Sequence, residues 1–230
     1  MAKKQQFGLS AVEAEPLHEK VYGEIVRALV SGRFEPGQKL TSRKLAQELG
    51  TSDMPVRGAL MRLQALRALN SLPNGSLEVP QMTAESFAQL MDARTTVEGG
   101  ATERAATRMN GNNLRTVRRL SDELTNAAKA GDINRYLVAN YDFKFSIYQH
   151  CGNAPLLFLI ETLWMQVGPF LRRYADSFDG TLSGILEIDY HEAALEALEK
   201  GDGVRAREAI VRDISEGATF LLANADFWVG

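Results

Sequence analysis

The residues best suited to chemistry in the C-terminal two thirds of the chain are a few charged side chains set among apolar ones. Arg94 precedes Glu98 by one helical turn within the stripe Phe87, Leu90, Met91, Arg94, Val97, Glu98 and Ala101, so a cation and an acid share a core-facing surface. A guanidinium there can receive a ligand carboxylate through two parallel hydrogen bonds, or it can close a salt bridge to Glu98. Asp142 has Val138 four residues before it and Phe145 three after it, which predicts a carboxylate on an apolar helix face, where an unpaired charge is costly. His191 and Asp213 each lie 11 residues from Asp202, in a glycine turn, and are predicted to face each other across an antiparallel helix pair. By this spacing Asp142, His191 and Asp213 could converge inside the bundle.

A second set lies near the N-terminus. Ser52 stands at a helix N-cap with Asp53 in the first turn and Pro55 early enough to be tolerated. In the helix that follows, Val56, Ala59, Leu60, Leu63 and Leu66 form the buried stripe, while Met54, Arg57, Gly58 and Met61 fall on the outer side. Two helices are predicted before it. The first carries Leu17, Val21, Ile25, Ala28 and Leu29 at spacings of three and four, and the second, capped by Thr41 or Ser42, carries Leu45, Ala46 and Leu49. After it comes a hairpin between Leu72 and Val79 with its turn at Asn74-Gly75.

Three helices and a hairpin make a winged helix-turn-helix over residues 16–80, after a flexible tail at 1–15. That motif lays the start of its last helix in the major groove of double-stranded DNA. Ser52, Asp53, Met54 and Arg57 are therefore candidates for base or phosphate contact, Arg43 and Lys44 for the backbone, and Asn74 and Gly75 for the adjacent minor groove. The alternative is that these are ordinary solvated side chains.

Residues 81–230 show only helical patterns, near 83–109, 112–130, 132–151, 155–175, 182–200 and 203–224, with a break at Asp179-Gly180 among others. The fold class is mainly α, a winged helix-turn-helix followed by an all-α bundle of six or seven helices. Arg172 and Arg173 are predicted at the surface of a helix end.

Charge follows the same division: residues 1–80 carry 11 Lys and Arg against 8 Asp and Glu, and the remainder 15 against 21. A net +3 unit joined to a −6 unit lets the first bind phosphate although the whole chain carries −3. With 45% hydrophobic residues, collagen-like, low-complexity and disordered classes are excluded. The single cysteine, Cys151, allows no intrachain disulfide, and no segment reads as a membrane span or secretion signal, so a cytoplasmic protein is expected.

Gly32 to Leu40 (GRFEPGQKL), Arg43 to Ala46 (RKLA), Leu49-Gly50 and Pro55 to Leu63 (PVRGALMRL) resemble the N-terminal domain of GntR-type bacterial transcription regulators. Asp53 stands where that family usually has Arg, and Gly58 where it usually has Glu. A carboxylate cannot donate to guanine, so the operator is expected to differ from common family sites. Arg94 to Glu98, Asp142 to Ser146, Gly152-Asn153, His191 and Gly201-Asp202 resemble the FadR-like subgroup with an FCD domain.

That second resemblance implies binding of a small organic acid, often beside a divalent metal held by one Asp and three His, while helix-turn-helix recognition of two-fold sites implies a homodimer. Carried across, the set becomes Asp142, Ser146, His191 and Asp213, with two histidines replaced. An effector site of Arg94, Asp142, Ser146, His191 and Asp213 is expected, with any metal a weakly held hard cation such as Mg, Mn or Ca on Asp142, His191 and Asp213; the other outcome is a metal-free polar network in which His191 bonds one or both aspartates. The competing readings are a metal-dependent helical-bundle enzyme acting on small acids, for which no HExxH and no two Glu-x-x-His motifs are present, and an adaptor that has lost DNA binding.

Overall fold

The structure, a computed structural model, describes residues 17–73, 75–178, 182 and 184–229. The expected tail at 1–15, Asn74 of the wing and the break at Asp179-Gly180 lie outside the described residues.

Helix α1 (Leu17–Val30) buries Val21, Ile25, Ala28 and Leu29 as its spacing predicts, but Leu17, at the helix start, is exposed. Strand β1 (Lys39–Leu40) leads into α2 (Ser42–Glu48), whose first turn is capped by the Thr41 hydroxyl. Helix α3 (Asp53–Ala65) buries Val56, Ala59, Leu60 and Leu63 and packs on α1 and α2, leaving Leu66 half-buried at its end. The wing is a three-stranded sheet in the order β1-β3-β2, with β2 (Asn70–Ser71) and β1 both antiparallel to β3 (Leu77–Glu78). Periodicity located the hairpin but not β1, because two residues are too few to show alternation.

The second unit contains α4 (Ala84–Ala106), α5 (Gly111–Lys129), α6 (Ile133–Tyr148), α7 (Ala154–Leu171), α8 (Arg173–Ser177), α9 (His191–Glu199) and α10 (Gly203–Asn224). Asn and Asp side chains cap α5, α6, α7 and α10, satisfying amides that the first helical turn leaves unpaired. The helix expected over 182–200 starts only at His191, and a short 3-10 turn at Ile185–Glu187 precedes it. Helix α7 is long and apolar enough to cross a membrane by composition, yet Ile160, Trp164, Val167 and Phe170 are buried where it packs between α1 and α4. Antiparallel α4 and α10 form the most extensive pairing, and α5 packs on α6 and α9.

Two close approaches join the units. Gly168 of α7 lies so near α1 that a Cβ there would sit 2.5 Å from the Leu29 carbonyl oxygen. Gly32, in the left-handed region at φ 64°, receives a hydrogen bond at its carbonyl from Arg172, which also reaches Asn134 at 2.9 Å. Arg172 is therefore half-buried between the units, not at the free surface predicted for it. The chain after α10 returns to the same region: the Trp228 amide donates to the Met82 carbonyl, and Phe227 stacks on Phe170.

Candidate nucleic-acid interface and effector cavity

The outer face of α3 is open to solvent. Met54 is 76% exposed, and Arg57, Gly58 and Met61 share that side, as their spacing predicts. Arg57, Met61, Ser42 and Gln64 line a groove of about 500 Å³ with Gly75 and Ser76 of the wing, so helix and wing open on one side of the unit. Arg43 and Lys44 are exposed at the start of α2. Ser52 has the extended backbone of an N-cap, but its hydroxyl makes no capping bond.

Asp53 connects the two helices. The Ser42 hydroxyl and Arg57, 3.0 Å away, hold its carboxyl below the usual carboxylate range despite some desolvation. The guanidinium that the sequence offers for base or phosphate contact is thus tied back to its own helix. Any contact it makes to DNA competes with Asp53.

Inside the bundle, Arg94 and Glu98 are both essentially inaccessible, at 2% and 0% exposure. The Arg94 guanidinium donates from Nε at 2.5 Å and from Nη2 at 3.3 Å to the two Glu98 oxygens and stacks over the Trp164 ring at 4.5 Å. The Tyr148 hydroxyl donates to the same carboxylate at 2.6 Å. Spacing predicted the pair, and only packing made it a buried one.

The residues expected to converge on a metal do not. Asp142 points away from the interior and pairs with Arg27 of α1 at 3.1 Å, part of a surface groove beside Ser31 and Arg33. Ser146 is buried, with its hydroxyl turned back to the Phe143 carbonyl, and does not line the cavity. The error was one of helical phase. The inward stripe of α6 runs Tyr136, Asn140, Lys144 and Tyr148, and residues two positions away are turned by about 200° from it. Tyr136, Asn140 and Lys144, spaced by four within an apolar helix, were the overlooked signal.

His191 and Asp213 do lie on the packed antiparallel pair α9 and α10, but each has a different partner from the one predicted. The His191 Nδ1 meets Asp189 at 2.5 Å and its Nε2 meets the Thr125 hydroxyl at 2.9 Å. Asp213 receives the Tyr190 amide at 3.0 Å and the Lys144 ammonium. Asp189, which sequence reasoning missed, also accepts from the Tyr136 hydroxyl at 2.7 Å.

Arg94, Tyr136, Asn140, Lys144, Asp189 and Asp213, with Tyr174 and apolar neighbours, enclose a cavity of about 30 Å³, room for little more than a water. No group of three or more His, Cys, Asp or Glu suited to a metal occurs among the described residues. The donor set opposes one as well. Both aspartates are engaged, and an ammonium and a guanidinium border the space, so a divalent cation would meet repulsion where it needs lone pairs.

Burial disfavours charge on His191, but the hydrogen bond and charge of Asp189, with Asp213 and Glu192 behind, raise its pKa overall. Asp189 is lowered in turn, since the bonds from His191 and Tyr136 outweigh its desolvation. A raised histidine pKa contributes stability that is complete below the unfolded value of about 6.5 and disappears as pH rises through the folded value. The urea midpoint of the wild type is expected to fall across that interval relative to His191→Gln. A constant difference between the two from about pH 6 to 9 would show that the pair does not titrate there.

Comparison with known proteins places this geometry. Residues 17–79 match the family model for bacterial regulatory proteins of the gntR family, and residues 89–216, more than half of the chain, match the FCD domain. The chain belongs to the GntR family, with an FCD domain. It is a transcriptional regulator, as the motif order implied, and the reading against an enzyme agrees with the relatives' descriptions.

Among those relatives, the HTH-type transcriptional regulator McbR of Escherichia coli is 31% identical over 153 residues, 66% of this chain and 69% of its own length. A probable D-xylose utilization operon transcriptional repressor of Paenarthrobacter nicotinovorans is 29% identical over 87% of this chain and 85% of its own. The solved structure of E. coli McbR/YncC superposes with a TM-score of 0.84 at 25% identity, covering 93% of this chain and all of that one. A GntR regulator from Rhodococcus sp. RHA1, at 19% identity and a TM-score of 0.71, shares the fold.

Proposed function

We propose that this GntR regulator binds a double-stranded operator as a homodimer through a unit at residues 16–80, and that a small organic acid in the unit at 81–230 alters that binding. The observation carrying the reading is helix α7, which touches both units. Trp164 lies under the Arg94 guanidinium at the cavity, and Gly168, one turn later, abuts the backbone of α1. A ligand that repacks the cavity therefore acts on an element already in contact with the DNA-binding unit, which gives the coupling a physical route. Dimerisation follows from helix-turn-helix recognition, since one short helix reads few base pairs and a two-fold site doubles the contact. The cytoplasm is where such a protein would meet both DNA and metabolites.

On the DNA side, the roles proposed are Arg57 and Met54 toward the groove, Arg43 and Lys44 toward phosphate, and the wing at Asn74 and Gly75 alongside. Arg57→Ala is expected to weaken operator binding by about tenfold or more. Asp53→Ala should free Arg57 and remove a negative charge near the phosphates, giving tighter non-specific binding with a salt slope steeper by about one. Fluorescence anisotropy on a fragment from upstream of the gene, at several salt concentrations, reads both. Unchanged affinity in the folded variants would take Arg57 out of the interface.

The engagement of Arg57 by Asp53 favours one second reading, an adaptor without DNA binding. It predicts no salt-dependent binding by the wild type to any duplex selected from random sequence, and recovery in Asp53→Ala. Release of the bound operator by a small carboxylate is the test of the effector half.

A further inference from the structure

We propose that the Lys144 ammonium is the resident cation of the bundle cavity, so that an organic anion is received here without any metal. The inference rests on the effector reading of the cavity but is tested separately from it.

Lys144 is 3% exposed, in the last third of α6, on the inward stripe between Asn140 and Tyr148. A buried lysine is an expensive residue to keep, and the same face would accept a leucine if packing were its sole task. Its neighbours divide into those already satisfied and those still available. Arg94 is closed off by Glu98 and Trp164, and His191 is held between Asp189 and Thr125. Lys144 bonds Asp213, whose other oxygen takes the Tyr190 amide. An ammonium has three donors, so a pairing with one carboxylate leaves it able to accept another anion. Asn140, one turn earlier on the same side, lines the same space and adds a neutral amide donor.

The size of the space fits this arrangement. At about 30 Å³ it admits no organic acid while Lys144 and Asp213 stay together. Lysine's flexible four-carbon stem can swing from Asp213 to a ligand carboxylate, which makes the internal ion pair the contact that a ligand must replace. A fixed metal would instead have to be accommodated beside two cations.

The test uses the full-length protein, purified without chelators, and begins with metal analysis. Less than about 0.1 equivalent of divalent metal per chain, and a melting temperature unmoved by EDTA, Mn²⁺ or Ni²⁺, are expected. Melting is then followed with acetate, glycolate and succinate in EDTA, with acetamide as the uncharged control. A carboxylate that raises the wild-type melting temperature by several degrees in EDTA, but not that of Lys144→Met, supports the assignment. Because Lys144→Met leaves Asp213 without its cation, Lys144→Met with Asp213→Asn serves as the folded comparison.

Stoichiometric bound metal, a carboxylate effect that needs metal, or an undiminished effect in both Lys144 variants would each overturn it. If no carboxylate acts on the wild type, the effector reading of the cavity is lost. Metal content then decides the cation by itself: a metal-free protein indifferent to EDTA upholds Lys144, and a metal-loaded one removes it.

Discussion

Replacing Arg94 by methionine is expected to cost about 3–5 kcal/mol of folding stability, the largest effect of any single change in the bundle interior. The loss comes less from the broken pair than from the stranded partner. Glu98 is fully buried and would keep only the Tyr148 hydroxyl to balance a charge desolvated on every side. Arg94→Met combined with Glu98→Met should recover most of the loss, because apolar residues of similar volume often replace a buried pair at little net cost.

Tyr148→Phe in the same background should recover more still, since it removes the hydroxyl that would otherwise lose its acceptor. Urea midpoints of the single, double and triple variants measure these steps. If Arg94→Met costs less than about 1 kcal/mol, the pair is not holding the cavity wall in place. An effector response lost in an Arg94 variant therefore cannot by itself identify a ligand contact, and stability must be compared first. Of the two roles the sequence left open for Arg94, a ligand contact or a salt bridge to Glu98, packing supplies the salt bridge.

Gly168→Ala is the second large effect. The added Cβ would lie 2.5 Å from the Leu29 carbonyl oxygen and 2.6 Å from the Val30 Cα, both backbone atoms that cannot swing aside. Either α1 moves off α7 or the contact is strained, and overpacking of this kind costs about 1–3 kcal/mol or more. The expected result is a lower melting temperature with faster proteolysis of the connection between β3 and α4, and weaker coupling of any effector to DNA binding.

Gly100 in α4 is the internal control, because no atom lies within 4 Å of its would-be Cβ. Gly100→Ala should stabilise by about 0.5–1 kcal/mol through helix propensity. Equal effects of the two substitutions would mean that the two units are not held by the close approach at Gly168.

The order of the main helices and the hairpin, though not β1 or the 3-10 turn, was determined by the sequence alone. Helix α10 runs over the 203–224 expected from its flanking turns, and the buried face of α3 is the one its spacing gives except at Leu66. Local signals sufficed there because capping residues, glycine turns and a period near 3.6 act within one element. The stretch around 182–200 misled, since an apolar periodicity says nothing about whether the chain is better satisfied by one helix or by a 3-10 turn leading into a shorter one.

The internal site required the tertiary structure. Asp142 and Lys144 are two residues apart on one helix, yet the first meets Arg27 of the DNA-binding unit and the second meets Asp213 in the core. Both positions have apolar neighbours at helical spacing, so the pattern could not say which side of α6 faces inward. That choice is made by what packs on the helix: Tyr148 reaches Glu98 of α4, Lys144 reaches Asp213 of α10, and the cost of burying a charge without its partner fixes the phase. Charge partners drawn from α1, α4, α6 and α10 are distant in the chain, and only their assembly decides whether a carboxylate becomes a ligand, a salt bridge or a link between domains.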